Sequence, residues 1–124
     1  MAKILIVEDE ENLRLLYEEE LRADGYEVRT AAGAEEAIEA VRAEVPDLIV
    51  MDIRMPGVNG LEAMERILGE FPEVPIILNT AYESYRDAFM SWSADAYVTK
   101  SSDMAELKHE IARLLGDKAR AGSR

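Results

Sequence analysis

Five short apolar runs, each followed by a stretch with helical spacing, constrain this chain more than any other feature. The runs are Lys3–Val7, Glu27–Ala31, Asp47–Asp52, Pro75–Asn79 and Ala96–Thr99. Leu48–Met51 is apolar without alternation, which fits a strand buried on both faces. The first helix is predicted over Glu11–Asp24, with Leu13, Leu16, Tyr17 and Leu21 on one stripe and Gly25 as the stop. Leu15 points off that stripe and is expected to be exposed. A second helix over Ala34–Glu44 turns Ala37, Ile38 and Val41 inward, and a third over Gly60–Phe71 does so with Leu61, Met64, Ile67, Leu68 and Phe71. A short helix over Glu83–Trp92 carries Tyr85, Phe89 and Trp92. Asp103 and Glu106 have capping-box spacing and open a last helix with Leu107, Ile111, Leu114 and Leu115. Strands that alternate with helices of this length form a parallel sheet with helices on both faces. Right-handed crossovers leave few topologies, and a five-stranded doubly wound sheet in the order 2-1-3-4-5 is the natural one.

The 124 residues suit one domain with one core, expected over 1–116, with a short flexible tail over 117–124 and no output domain after it. A hydrophobic content of 48% supports that core. No apolar stretch approaches the roughly 20 residues of a membrane span, and the N-terminus does not read as a signal peptide. Cysteine is absent, which excludes disulfides and thiolate metal sites and agrees with a cytoplasmic location. The 26 acids against 14 Lys+Arg give a net charge of −12. Such a surface repels phosphate backbones, so direct nucleic-acid binding is not expected. It suits capture of a divalent cation.

The ends of the strands carry the chemistry. Glu8 and Asp9 follow the first strand, Asp52 ends the third, Thr80 follows the fourth and Lys100 the fifth. All carboxyl ends of a parallel sheet lie on one edge, where ligands of open α/β sheets bind. The order 2-1-3-4-5 sets strands one and three side by side, so Glu8, Asp9 and Asp52 would share one small site. Like charges that close repel unless a cation intervenes. A few carboxylates plus water suit Mg²⁺ better than a full Ca²⁺ cage. Met55-Pro56-Gly57 forces a turn after the strand, which leaves the Asp52 carboxylate facing an open loop. With Thr80 and Lys100 nearby, this is a phosphoryl-transfer constellation. Asp52 can be the nucleophile, and Mg²⁺ with Lys100 would neutralise charge on the phosphoryl oxygens.

These residues resemble the receiver domains of two-component response regulators. The likeness rests on Ile-Leu-Ile-Val-Glu-Asp-Glu, Met-Asp-Ile-Arg-Met-Pro-Gly-Val-Asn-Gly, Asn-Thr-Ala and Ala-Tyr-Val-Thr-Lys, and runs from about Lys3 to Leu115. It implies a flavodoxin-like receiver fold in which Asp52 takes phosphate from a histidine kinase or a histidine phosphotransfer protein. It implies Asp9, Asp52 and the backbone carbonyl of Arg54 as Mg²⁺ ligands, with Glu8 acting through water. Thr80 and Tyr97 match the paired switch residues, and Lys100 the family's lysine. The output face would be the fourth helix, fifth strand and last helix, read by an unknown downstream protein. Such a protein is not an enzyme toward outside substrates; it catalyses only its own phosphorylation and dephosphorylation. It would be a monomer, with dimerisation on phosphorylation left open.

Three features depart from the family pattern. Glu8 stands where Asp is commoner, Ser101 stands where Pro usually follows the lysine, and the interval from Thr80 to Tyr97 is short. The rival reading is a haloacid dehalogenase-like phosphatase. That class needs a second Asp two residues after the nucleophile, and Arg54 occupies the place. A pseudo-receiver acting only as an interaction module is the other alternative, and the complete acid set argues against it. His109 and the Glu18-Glu19-Glu20 run are read as solvated, and Phe89 and Trp92 as core. Leu15 is a candidate contact for a kinase helix.

Overall fold

A computed structural model of the chain describes residues 2–52, 58–80, 95–99 and 104–122, without the side chains of 58–62, 80 and 117–122. The strands are β1 (Lys3–Val7), β2 (Glu27–Ala31), β3 (Leu48–Met51), β4 (Ile76–Thr80) and β5 (Ala96–Thr99). The helices are α1 (Glu11–Ala23), α2 (Ala34–Ala43), α3 (Val58–Glu70) and α4, the C-terminal helix (Ala105–Gly122). The five strands form one parallel sheet in the order β2-β1-β3-β4-β5. The predicted helix over 83–92, with Phe89 and Trp92, lies outside the described residues, as do Asp103 and the expected cap.

Period-two alternation divides the core into two layers. Leu5, Val7, Ile49, Met51, Ile76, Leu78 and Tyr97 pack with Ala37, Ile38 and Val41 of α2 and Ala63, Met64 and Ile67 of α3. Ile4, Ile6, Leu48, Val50, Ile77, Ala96 and Val98 pack with Tyr17 and Leu21 of α1 and Leu107, Ile111 and Leu114 of α4. Both faces of the sheet are therefore covered, which is why its strands read as continuous apolar runs. β2 lies at the edge, as its weaker apolar character implies. Its Arg29 reaches α2 and donates to the carbonyl of Ala40 at 3.1 Å, which also accepts from the Glu44 amide at 3.1 Å.

The strand starts are pinned by acids. Asp47 accepts from the Lys3 amide at 2.8 Å while its own amide donates to the Lys3 carbonyl at 2.7 Å. Asp95 does the same with Ile76, at 2.9 Å in both directions. α1 ends where expected. Gly25 takes φ 97°, a conformation that glycine adopts without steric cost. The amide of Tyr26 returns to the Leu21 carbonyl at 3.2 Å. α1 and α4 lie on the same face and are joined by Lys108, which reaches Glu20 at 2.9 Å and Asp24 at 3.3 Å.

Two expectations fail. Leu16 is not part of the buried stripe; it is 43% exposed, close to Leu15 at 48%. Leu13, Tyr17 and Leu21 form a clean i, i+4, i+8 row, and Leu16 sits one residue, about 100°, around the helix from it. The stretch after Gly116, expected to fray as a tail, continues as helix through Gly122. Its Ala, Lys and Arg residues are strong helix formers, and they outweigh the glycine. The sequence-based bounds of β3 and α3 move by a residue or two, the usual uncertainty at element ends.

Leu21→Ala should therefore lower the unfolding free energy by about 2–5 kcal/mol, and Leu16→Ala by no more than about 0.5 kcal/mol. Urea denaturation of the two variants checks this, and equal losses would contradict the assigned face of α1.

Candidate functional site

The site is built by the register of two neighbouring strands. Val7 and Met51 are paired partners at the ends of β1 and β3. The amide of Asp52 donates to the Val7 carbonyl at 2.9 Å, and the amide of Glu8 donates to the Ala31 carbonyl of β2 at 3.0 Å. These bonds carry the sheet one residue past each strand, so Glu8, Asp9 and Asp52 emerge together at its carboxyl edge. One carboxylate oxygen from each lies within 4.8 Å of the others. Glu8 is buried, Asp52 half-buried and Asp9 exposed, so the group opens to solvent on one side. Oδ1 of Asp52 is shielded from water.

The loop between β1 and α1 is closed by its own bonds. The Glu10 amide donates to Oε2 of Glu8 at 3.1 Å. Nη1 of Arg14 donates to the Glu8 carbonyl at 3.0 Å, and the Arg14 amide donates to the Glu10 carbonyl at 2.9 Å. Arg14 was not among the residues expected at the site. Its signal in the sequence is a cation close to the start of a helix, where the macrodipole favours anions. A carbonyl acceptor held in the preceding loop explains its place.

The other predicted residues are positioned in part. Thr80 is the last residue of β4, with Thr99 as its partner on β5. The backbone thus puts Thr80 at the same sheet edge as the acids. Tyr97 is paired with Leu78, two residues back from that edge. Its side chain is buried in the apolar layer that holds Met51 and Leu78. Arg54 and Lys100 lie outside the described residues, as does Ser101. Three hard oxygen donors within such a radius fit a small divalent cation and fit no thiophilic metal. Together they make a centre where positive charge is stabilised and where a strand-tip carboxylate can meet a ligand.

The Response regulator receiver domain model matches residues 4–112. The chain belongs to the response regulator receiver domain family. Among curated proteins it is 34% identical over 115 residues to the alkaline phosphatase synthesis transcriptional regulatory protein PhoP of Bacillus subtilis, covering 91% of this chain and 48% of that one. It is 32% identical over 114 residues to the probable transcriptional regulatory protein TcrX of Mycobacterium tuberculosis, covering 90% and 49%. The receiver chain thus spans about half the length of these relatives. Among solved structures it resembles the response regulator TrrA of Thermotoga maritima in complex with Mg²⁺-BeF, with a TM-score of 0.85, 45% identity, and coverage of 92% of this chain and 99% of TrrA. A second structure, the histidine kinase ThkA in complex with TrrA, matches with a TM-score of 0.83 at 45% identity, covering 93% of this chain and 99% of the matched one. Doubly wound order 2-1-3-4-5 is therefore both observed and shared with the family. Among the described residues, no helix is long and apolar enough to cross a membrane.

Neutralising one acid should relieve repulsion in the metal-free receiver. Asp9→Asn is expected to raise metal-free stability, by on the order of 1 kcal/mol for a partly solvated charge cluster. The gain should shrink at high ionic strength. A thermal melt without divalent cations, at low and high NaCl, checks it; a variant less stable than wild type at both would contradict the repulsion.

Proposed function

We propose that this receiver accepts a phosphoryl group on Asp52, from the phosphohistidine of a histidine kinase or a phosphotransfer protein, with Mg²⁺ bound beside it. The observation that carries this reading is the meeting of Glu8, Asp9 and Asp52 within 4.8 Å at the carboxyl edge of the sheet. The similarity to TrrA, which has been solved both with Mg²⁺-BeF and in complex with the histidine kinase ThkA, supports it.

Asp9, Asp52 and the backbone carbonyl of Arg54 would hold Mg²⁺ directly, and Glu8 through a water. Once bound, the ion neutralises charge on the phosphoryl oxygens. The Asp52 carboxylate attacks phosphorus; the P–N bond breaks, and the imidazole leaves with the electron pair and takes up a proton. The product is an aspartyl-phosphate, which water later hydrolyses to Asp52 and inorganic phosphate. Lys100 offers a charge-assisted hydrogen bond to the phosphoryl group and Thr80 a hydroxyl. Such charge-assisted bonds contribute roughly 1.5–3 kcal/mol each, and inverting a 1:99 equilibrium needs about 5.5 kcal/mol. Two or three of them approach that figure. Movement of Thr80 toward the phosphate makes room that the Tyr97 ring can occupy, which changes the surface around β5 and α4; the expected helix over 83–92 lies outside the described residues. A downstream protein reads that surface. The exposed pair Leu15 and Leu16 offers an apolar contact to the kinase. The setting is the cytoplasm, and the role is signalling.

Acetyl phosphate with Mg²⁺ should add one phosphoryl group to wild type and none to Asp52→Asn, read as intact mass. Label on Asp52→Asn at the wild-type rate would overturn the assignment. Mg²⁺ should raise the Tm of wild type through linkage and leave that of Asp9→Ala unchanged. Thr80→Ala should still accept phosphate but lose the spectral changes in residues 81–99; a wild-type response in that variant would remove Thr80 from the switch.

A further inference from the structure

We propose that Arg14 is a positioning residue of the phosphoacceptor site, holding the Asp9 loop in its metal-binding shape. The inference rests on the reading of Glu8, Asp9 and Asp52 as a Mg²⁺ site and adds a residue to it. The strand ladder of β1 ends at Val7. Glu8 and Glu10 therefore carry the carbonyls on either side of Asp9 beyond the ladder. The Glu8 carbonyl accepts from Nη1 of Arg14 at 3.0 Å, whereas the Glu10 carbonyl accepts the first backbone bond of α1, from the Arg14 amide at 2.9 Å, whatever the side chain at that position. The Glu10 amide is turned inward onto Oε2 of Glu8 at 3.1 Å. The Arg14 side chain thus holds the backbone before Asp9, and the start of α1 holds the backbone after it.

A guanidinium bonded to the backbone carbonyl of Glu8, one of the three acids, has two possible effects on a cation, and they differ in sign. As a competing charge, Arg14 would weaken Mg²⁺ binding, and its removal would tighten it. As a strut for the loop, it would favour binding, and its removal would weaken it. Its side-chain bond goes to a backbone carbonyl, and the group is half-buried beside solvent. Screening therefore reduces the charge effect, while a charge-assisted bond to a carbonyl keeps its geometry. Loss of residues that orient metal ligands typically costs about 10–100-fold in metal affinity. Arg14 orients the backbone that carries the ligands, so the low end of that range applies.

The test is Arg14→Ala, titrated with MgCl₂ by calorimetry and followed by amide hydrogen exchange without metal. The expected result is roughly tenfold weaker Mg²⁺ binding with faster exchange at the Glu10 amide, while Leu5 and Ile49 in the core exchange as in wild type. Unchanged or tighter Mg²⁺ binding would overturn the proposal, and so would weaker binding with Glu10 exchange unaltered. Arg14→Gln, judged by the same two readouts, takes its place if the alanine variant does not fold. Wild type that fails to bind Mg²⁺ defeats the reading of the metal site itself. The Glu10 exchange measurement needs no metal and still decides whether Arg14 holds the loop.

Discussion

Everything at the carboxyl edge depends on the parallel ladder between β1 and β3. The pairing of Val7 with Met51 and the bond from the Asp52 amide to the Val7 carbonyl fix which residues leave the two strands side by side. A shift of one residue along either strand would exchange its core and opposite faces. It would also separate Asp52 from Glu8 and Asp9. The register is held by burial on both faces, because Leu5, Val7, Ile49 and Met51 fill one layer and Ile4, Ile6, Leu48 and Val50 the other. Burying such a side chain contributes about 1.5–3 kcal/mol. The hydrophobic layers thus do more than stabilise the domain. They hold like charges together in a geometry the charges themselves oppose.

The same sheet uses acids in opposite ways at its two edges. At the amino edge, Asp47 and Asp95 each accept a strand-start amide and return a bond through their own backbone. Their carboxylates are spent on the fold. At the carboxyl edge, the carboxylates of Glu8, Asp9 and Asp52 converge on one another, and that of Glu8 also accepts from the loop amide of Glu10. A cluster of that kind is a place where a divalent cation stabilises the protein. Under the function proposed above, cation binding and receiver stability would be linked at this edge.

The layered fold was legible because its determinants are local. Unbroken apolar runs mark strands covered on both faces, and helices between them leave one economical topology. The convergence of Glu8, Asp9 and Asp52 followed from strand order alone. What sequence reasoning missed were matters of angle and of partner. Leu16 looks like a stripe residue in a leucine-rich helix, yet the row through Tyr17 and Leu21 turns it outward. The end of α4 was set too early because the stretch after Leu115 is small and charged, although strong helix formers lie in it. Arg14 and the two pinning aspartates escaped notice because each acts on a backbone group distant in sequence or in the preceding loop. Composition carries no trace of such a bond.

The central claim is chemical: of three clustered acids, the one at the tip of β3 is the nucleophile. The direct measurement is to phosphorylate the receiver with acetyl phosphate and Mg²⁺, reduce the acyl phosphate with borohydride, and locate the resulting alcohol by peptide mass spectrometry. The account predicts conversion of residue 52 to homoserine and an unmodified Glu8-Asp9 peptide. Reduction at Glu8 or Asp9 with residue 52 intact would contradict it.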